Sequence, residues 1–410
     1  MFTKVEDSKM PQEGVDPRQA LDAARLHVRR AWAGEVQGFE AWGGYDIEAE
    51  PLVIHDLNGQ VLFYEFTVSS GKSQVGSIKT SASRVIGSPV VTIEFGPRTW
   101  SERKAVERAK AEARKLFPKA RLSPPDLVCY CYPKLGVRIF AEDDRGRRGV
   151  IVDVADGSVV ERLGASGEGF AAYSFYDEVA EPQREVRLRR FAQADREMET
   201  VRREGPELFK AERLDNVAKV RDFFMSRSVG LVAQISLYSS RVLKYGPRCT
   251  PHDCFQLYAQ ETPVYCAVAT AQMILDFYRW NFTQDEIATA MHTDSGGTNN
   301  TDQVAGYQSL SNQTLVATFD ETASWSEARA EIDANRPVKS GVPHHARAVA
   351  GWKQQNLSIV GTAPKRWLLI YDPWPWDANL CAGGKVVWED WDAVDHTNFI
   401  TVRHRTTACG

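Results

Sequence analysis

QETPVYCAVATAQMILDFY, Gln260–Tyr278, sets one cysteine between a proline-bearing lead-in and an apolar run. Val268, Ala271, Ile274, Leu275 and Tyr278 recur at helical spacing, and Ala267, Ala269, Met273 and Phe277 make much of the opposite face apolar too. A helix apolar nearly all round belongs inside a domain. Proline is tolerated only before such a helix or in its first turn, so Pro263 places Cys266 near the helix N-terminus. Unpaired backbone N–H groups and the positive end of the helix dipole favour a thiolate there. Free cysteine is also among the most buried residue types, so on this helix alone a packed core thiol is an equal rival.

Gln260 lies six positions upstream of Cys266, where its amide can donate to an oxyanion beside the sulfur together with a helix N-terminal N–H. Gln256 is a nearby rival for that role. A nucleophilic cysteine needs an imidazole, and RPVKSGVPHHARAVAGWKQQ (residues 336–355) offers two. Val338 starts a strand-like piece, and after the histidines AVAGW reads as a buried strand that turns at Gly351. His345 is the candidate base. His344 faces the other side of the strand and reads as structural, with the base role as its alternative. In RWLLIYDPWPW (residues 366–376), Trp367 to Tyr371 form a compact apolar strand with Asp372 at its end. A carboxylate there can accept from the imidazole N–H and fix its tautomer; an Asp-Pro turn is the plainer alternative.

The order Gln260, Cys266, His345, Asp372 resembles the papain-like cysteine peptidases, nearest to the C39-like and streptopain-like branch, over residues of about 249–405. Gln with five residues before the cysteine, NFTQDEIATAM after the helix, ANRPVKSG before the histidine strand, and a histidine six positions before Gly351 carry the likeness. It implies a central helix packed on an antiparallel sheet, a Cys-His-Asp triad with Gln260 in the oxyanion hole, a peptide or protein substrate, and no metal or organic cofactor. The chain departs from the pattern in three places. Tyr265 and Ala267 flank the nucleophile where many members carry glycine. The loop HTDSGGTNNTDQV has no evident counterpart. WPWDANLCAGG sets Trp374 and Trp376 near the site, either as a shield for the His-Asp pair or as a substrate wall.

The rest of the chain bounds this reading. At 410 residues, two or three domains are expected, and 43% hydrophobic with 25% charged residues is a globular composition. Residues 248–410 hold 12 Lys+Arg against 18 Asp+Glu, and the part before them 38 against 36, so neither has the basic excess of a nucleic-acid binder. No apolar run approaches the roughly 18 residues of a membrane span. MFTKVEDSKMPQEG lacks the order of a signal peptide, which as written reads cytoplasmic; a chain trimmed of its leader would look the same. Seven cysteines are too sparse for a disulfide scaffold. Cys129 and Cys131 alternate in a strand-like run and read as a buried pair on one face, while Cys249, His252 and Cys254 lack the second ligand pair that zinc requires.

Residues 1–180 read as an α+β region of two helix-then-strands units, a pattern of internal duplication. Asp16-Pro17 caps the first helix, Asn58-Gly59 marks a hairpin, and SERKAVERAKAEARKLF is the second helix. The pattern is similar to streptopain-type prodomains and PepSY-type domains, which implies regulation of the cleft from within the chain. Residues 181–247 are Arg/Glu-rich and read as a charged helical connector, and 248–410 as the catalytic domain. The fold class expected is α+β, and the activity a cysteine peptidase. The alternatives are acyl transfer, deamidation or transglutamination by the same triad, or an inactive binding module.

Overall fold

The computed structural model describes residues 2–40, 42, 45–160, 172–210, 216–227, 236–243, 255–361, 364–375 and 383–405. Cys249, His252, Cys254, Trp376, Cys381 and Cys409 lie outside the described residues, as does the expected boundary at 247/248. In chain order the first elements are α1 (Pro17–Ala33), β1 (Asp46–Ile47), β2 (Leu52–His55), β3 (Val61–Ser70), β4 (Ser73–Ser81) and β5 (Val90–Phe95). A second group follows: α2 (Glu102–Leu116), β6 (Arg121–Leu122), β7 (Asp126–Cys131), β8 (Lys134–Asp143) and β9 (Gly146–Asp153). Asp16 caps α1 through its side chain, with Pro17 at the first helical position.

The charged segment forms α3 (Glu181–Glu204) and α4 (Val217–Arg227). One face of α3 is buried: Phe191, Met198 and Val201 pack in the core with α1. On the same helix, Arg187 donates to Ile86 O and Ala393 O, and Glu197 pairs with Arg30 at 3.0 Å. The C-terminal part contains β10 (Tyr238–Val242), α5 (Cys266–Phe277), α6 (Gln284–Ala290), α7 (Asn300–Leu310) and β11 (Leu315–Asp320). It continues with α8 (Trp325–Asp333), β12 (Val338–Val342), β13 (His345–Gln355), β14 (Arg366–Asp372), β15 (Lys385–Asp390) and β16 (Asn398–His404).

The fold is α+β, as expected. The sheet order β11-β16-β12-β13-β14-β15-β5-β4-β3-β2-β7-β8-β6 carries one hydrogen-bonded surface through the chain's two ends. The join is antiparallel, β15 against β5, with Val386 opposite Phe95 and Trp388 opposite Ile93. Only β2 and β7, at His55 and Val128, pair parallel in that order. In the C-terminal part α5 is the central helix; Val268, Ala271, Ile274 and Leu275 are fully buried against Ala348, Val349, Leu368 and Ile370 of the sheet. That burial is why the segment is apolar nearly all round. Thr283 and Glu286 complete a capping box at the head of α6.

Two local expectations differ from the structure. AVAGW does not turn at Gly351: β13 runs on to Gln355, with a register shift between Val349 and Gly351. A Cβ at Gly351 would sit 2.9 Å from Arg241 O, so this glycine serves a bulge and a close approach by β10. Cys129 and Cys131 are both buried free thiols, but they do not share one environment. A register shift between them against β8 breaks the alternation, leaving Cys129 in an apolar core and Cys131 beside Val128 and Tyr130.

Candidate active site

Cys266 is the first residue of α5, capped by the backbone of Tyr265. The loop before it is braced from three sides. Gln284 donates to Ala259 O, Glu261 N donates to Gln284 Oε1, and Gln260 N donates to Pro373 O, which ties the loop to the strand end that carries Asp372. Two strands bring the other groups. His345 opens β13 directly after the turn from β12, and Asp372 ends β14, the neighbour of β13 on its other side.

His345 Nε2 lies 2.7 Å from Asp372 Oδ1, with both side chains buried. Trp374 N also donates to Asp372 Oδ1, at 3.0 Å. Burial pushes the Asp372 carboxyl up, but the charge and hydrogen bond of His345, with Lys385 and Arg347 behind, bring it down to about 2. With Nε2 committed to Asp372, Nδ1 is the ring nitrogen left for Cys266. It is buried and has no partner at full hydrogen-bond geometry among the described residues. Even so, the thiol stands at about 6: burial pushes it up, and the His345 hydrogen bond and charge, Lys134 and the Ala346 N–H outweigh that.

The half-buried Cys266 opens into a cavity of about 220 Å³. Ser295, Gly296, Gly297 and Thr298, from the glycine-rich loop, line it with the β12–β13 turn. Cys131 and Lys134, from the β7–β8 turn of the N-terminal region, line it too. Cys131 Sγ is 3.7 Å from Pro343 O, and burial lifts its thiol to about 11.

Gln260 is fully buried and does not line the cavity. Its Nε2 donates to Thr262 O at 2.8 Å and Pro263 O at 3.0 Å, so both amide hydrogens are engaged within the loop. Gln256 does not line the cavity. His344 sits in the turn at φ 56°, its ring 6.2 Å from Tyr173, and it also faces the cavity. Trp374 is buried, donating from Nε1 to Asp153 Oδ2 at 3.3 Å, and covers the Asp372 side of the pair rather than the cleft.

Sequence reasoning missed a buried charged layer beneath the pair. Arg347, two residues along β13 from His345, donates to Glu389 Oε2 at 2.6 Å, and Tyr132 Oη donates to the same oxygen at 2.7 Å. His396 lies 3.6 Å from Glu389 Oε1 and stacks on Trp391. The signal was present: an arginine inside the apolar run ARAVAGW requires a buried acid.

Residues 252–392 match the Peptidase_C39 like family. Among solved structures, a double-glycine-motif protease from an AMS/PCAT transporter, in complex with the leader peptide, aligns at 14% identity and TM-score 0.26, covering 37% of this chain and 91% of that one. The peptidase domain of Streptococcus ComA, a bifunctional ABC transporter involved in quorum sensing, aligns at 14% identity and TM-score 0.26, covering 37% and 99%. UfSP from C. elegans aligns at 12% identity and TM-score 0.28, covering 64% and 61%. No curated protein matches the chain by sequence. The family match over residues 252–392 agrees with the C39-like resemblance read from the C-terminal part of the sequence.

Proposed function

We propose that the protein is a cysteine peptidase in which Cys266 is the nucleophile, His345 the general base and acid, and Asp372 the group that orients the imidazole. The observation that carries this is the Asp372–His345 pair at 2.7 Å behind a helix-terminal thiol held at about 6. His345 Nδ1 takes the thiol proton, and sulfur attacks the peptide carbonyl carbon as the carbonyl electrons move to oxygen. The oxyanion meets the N–H at the head of α5, where the helix leaves donors unpaired. Collapse breaks the C–N bond, His345 gives its proton to the leaving amine, and water then cleaves the thioester with His345 again as base. Every step closes on side chains, backbone and water.

Gln260 enters as second oxyanion donor only if one amide hydrogen leaves Thr262 O or Pro263 O when substrate binds. The N-terminal region shapes the cleft, because Cys131 and Lys134 form part of its wall. The test is labelling of Cys266 by a peptide electrophile, followed by product analysis of peptide substrates with and without an added amine. Hydrolysis products that disappear in Cys266→Ala support the reading. Products made only when the amine is present would assign acyl transfer, and a thiol inert to the electrophile would sink the catalytic assignment.

A further inference from the structure

The floor of the cleft holds a cation that the triad does not use. Lys339, on β12, is 3% exposed and lines the same cavity as Cys266. Its Nζ donates to Asn300 Oδ1 at 2.9 Å and to Asn398 Oδ1 at 2.5 Å, from α7 and β16. Both acceptors are neutral. An ammonium has three donors, so one N–H remains after these two bonds. Among the described residues no carboxylate pairs with Lys339, and the cavity lining contains Lys134, Lys339, His344 and His345 but no aspartate or glutamate.

A buried ammonium with no carboxylate beside it is unfavourable, and a methionine would fill the same space without that cost. Here the amine is instead fixed by two amides and left facing the cavity beside the nucleophile. Burial holds its pKa down to about 8, with the Cys266 thiolate pulling the other way. An anionic partner arriving in the cleft would remove the imbalance.

We infer that Lys339, held by Asn300 and Asn398, is a carboxylate-recognition subsite, and that the cleft takes peptides with an Asp or Glu side chain close to the scissile bond. This rests on the peptidase reading above. A rival role for Lys339, as counter-charge to the Cys266 thiolate, would affect every substrate alike and would not separate Glu from its amide.

The test uses the full chain and matched peptide pairs that differ only as Glu or Gln at each position flanking the cleaved bond. At one position the wild type is expected to favour Glu in kcat/KM by about 10- to 100-fold, the worth of a hydrogen bond between charged groups. Lys339→Met removes the cation, and Asn398→Asp supplies it with an internal carboxylate; each is expected to bring the ratio to within about threefold of one. A wild-type ratio near one at every position, or a ratio that survives both variants, overturns the proposal. Alkylation of Cys266 by chloroacetate and chloroacetamide needs no turnover and separates the two readings. Loss of the chloroacetate preference in Lys339→Met, with no peptide cleaved, would keep the subsite and remove the peptidase. Cleavage without Glu preference would do the reverse.

Discussion

Alkylation of Cys266 across pH tests the site at its most specific point. At a pKa of about 6 the thiol is roughly 90% ionised at pH 7, against about 1% for an ordinary thiol at 9.0. Rate does not follow that ratio directly, because intrinsic nucleophilicity falls with pKa at a slope of about 0.4–0.5, or roughly 15- to 30-fold over three units. The net gain at pH 7 is therefore only about 3- to 6-fold. At pH 5 the ionised fractions differ by about 900-fold, and the net gain rises to roughly 30- to 60-fold. The decisive assay is iodoacetamide labelling, read by peptide mass at Cys266, from pH 4 to 10. The expected midpoint is near 6, and His345→Ala is expected to move it up by about 2 units or more, since burial then acts with less opposition. A wild-type midpoint near 9, or one indifferent to loss of His345, would refute the thiolate–imidazole arrangement.

Three further outcomes follow from the same geometry. Lys134→Met should raise the Cys266 midpoint by a few tenths of a unit, on the order of one partly screened charge, if the N-terminal wall acts on the thiol; an unchanged midpoint in the labelling assay removes that link. Gln260→Ala should lower kcat by about 100-fold if an amide hydrogen moves to the oxyanion, whereas a fall in melting temperature with kcat intact would confine Gln260 to bracing its loop. Arg347→Met should cost about 3–5 kcal/mol in urea unfolding, because Glu389 is left buried and charged, and adding Glu389→Gln should recover a good part of it; a single-variant loss under about 1 kcal/mol would contradict the buried pair.

The groups proposed to react were legible in the sequence because each sits at the end of an element whose pattern is local. Cys266 heads an apolar helix, His345 opens a buried strand, and Asp372 closes one, so helix and strand periodicity place all three. What was not legible depends on neighbours far away along the chain. Lys339 reads as an ordinary strand lysine until Asn300 and Asn398 close on it from another helix and another strand. Cys131 reads as one of a buried pair until the register shift against β8 turns it toward Pro343, 212 positions downstream. Gly351 looks like a turn because a strand glycine signals either a turn or a bulge, and only the approach of β10 decides between them.

The same dependence explains how the N-terminal region reaches the cleft. Pairing of β5 with β15 makes the two parts one sheet, and it is β14, next to β15, that ends in Asp372. Tyr132, from the turn that also supplies Cys131 and Lys134, donates to Glu389 on β15, and Glu389 holds Arg347 beneath His345. A shift of that turn would therefore alter the cleft wall and the charged layer under the imidazole together.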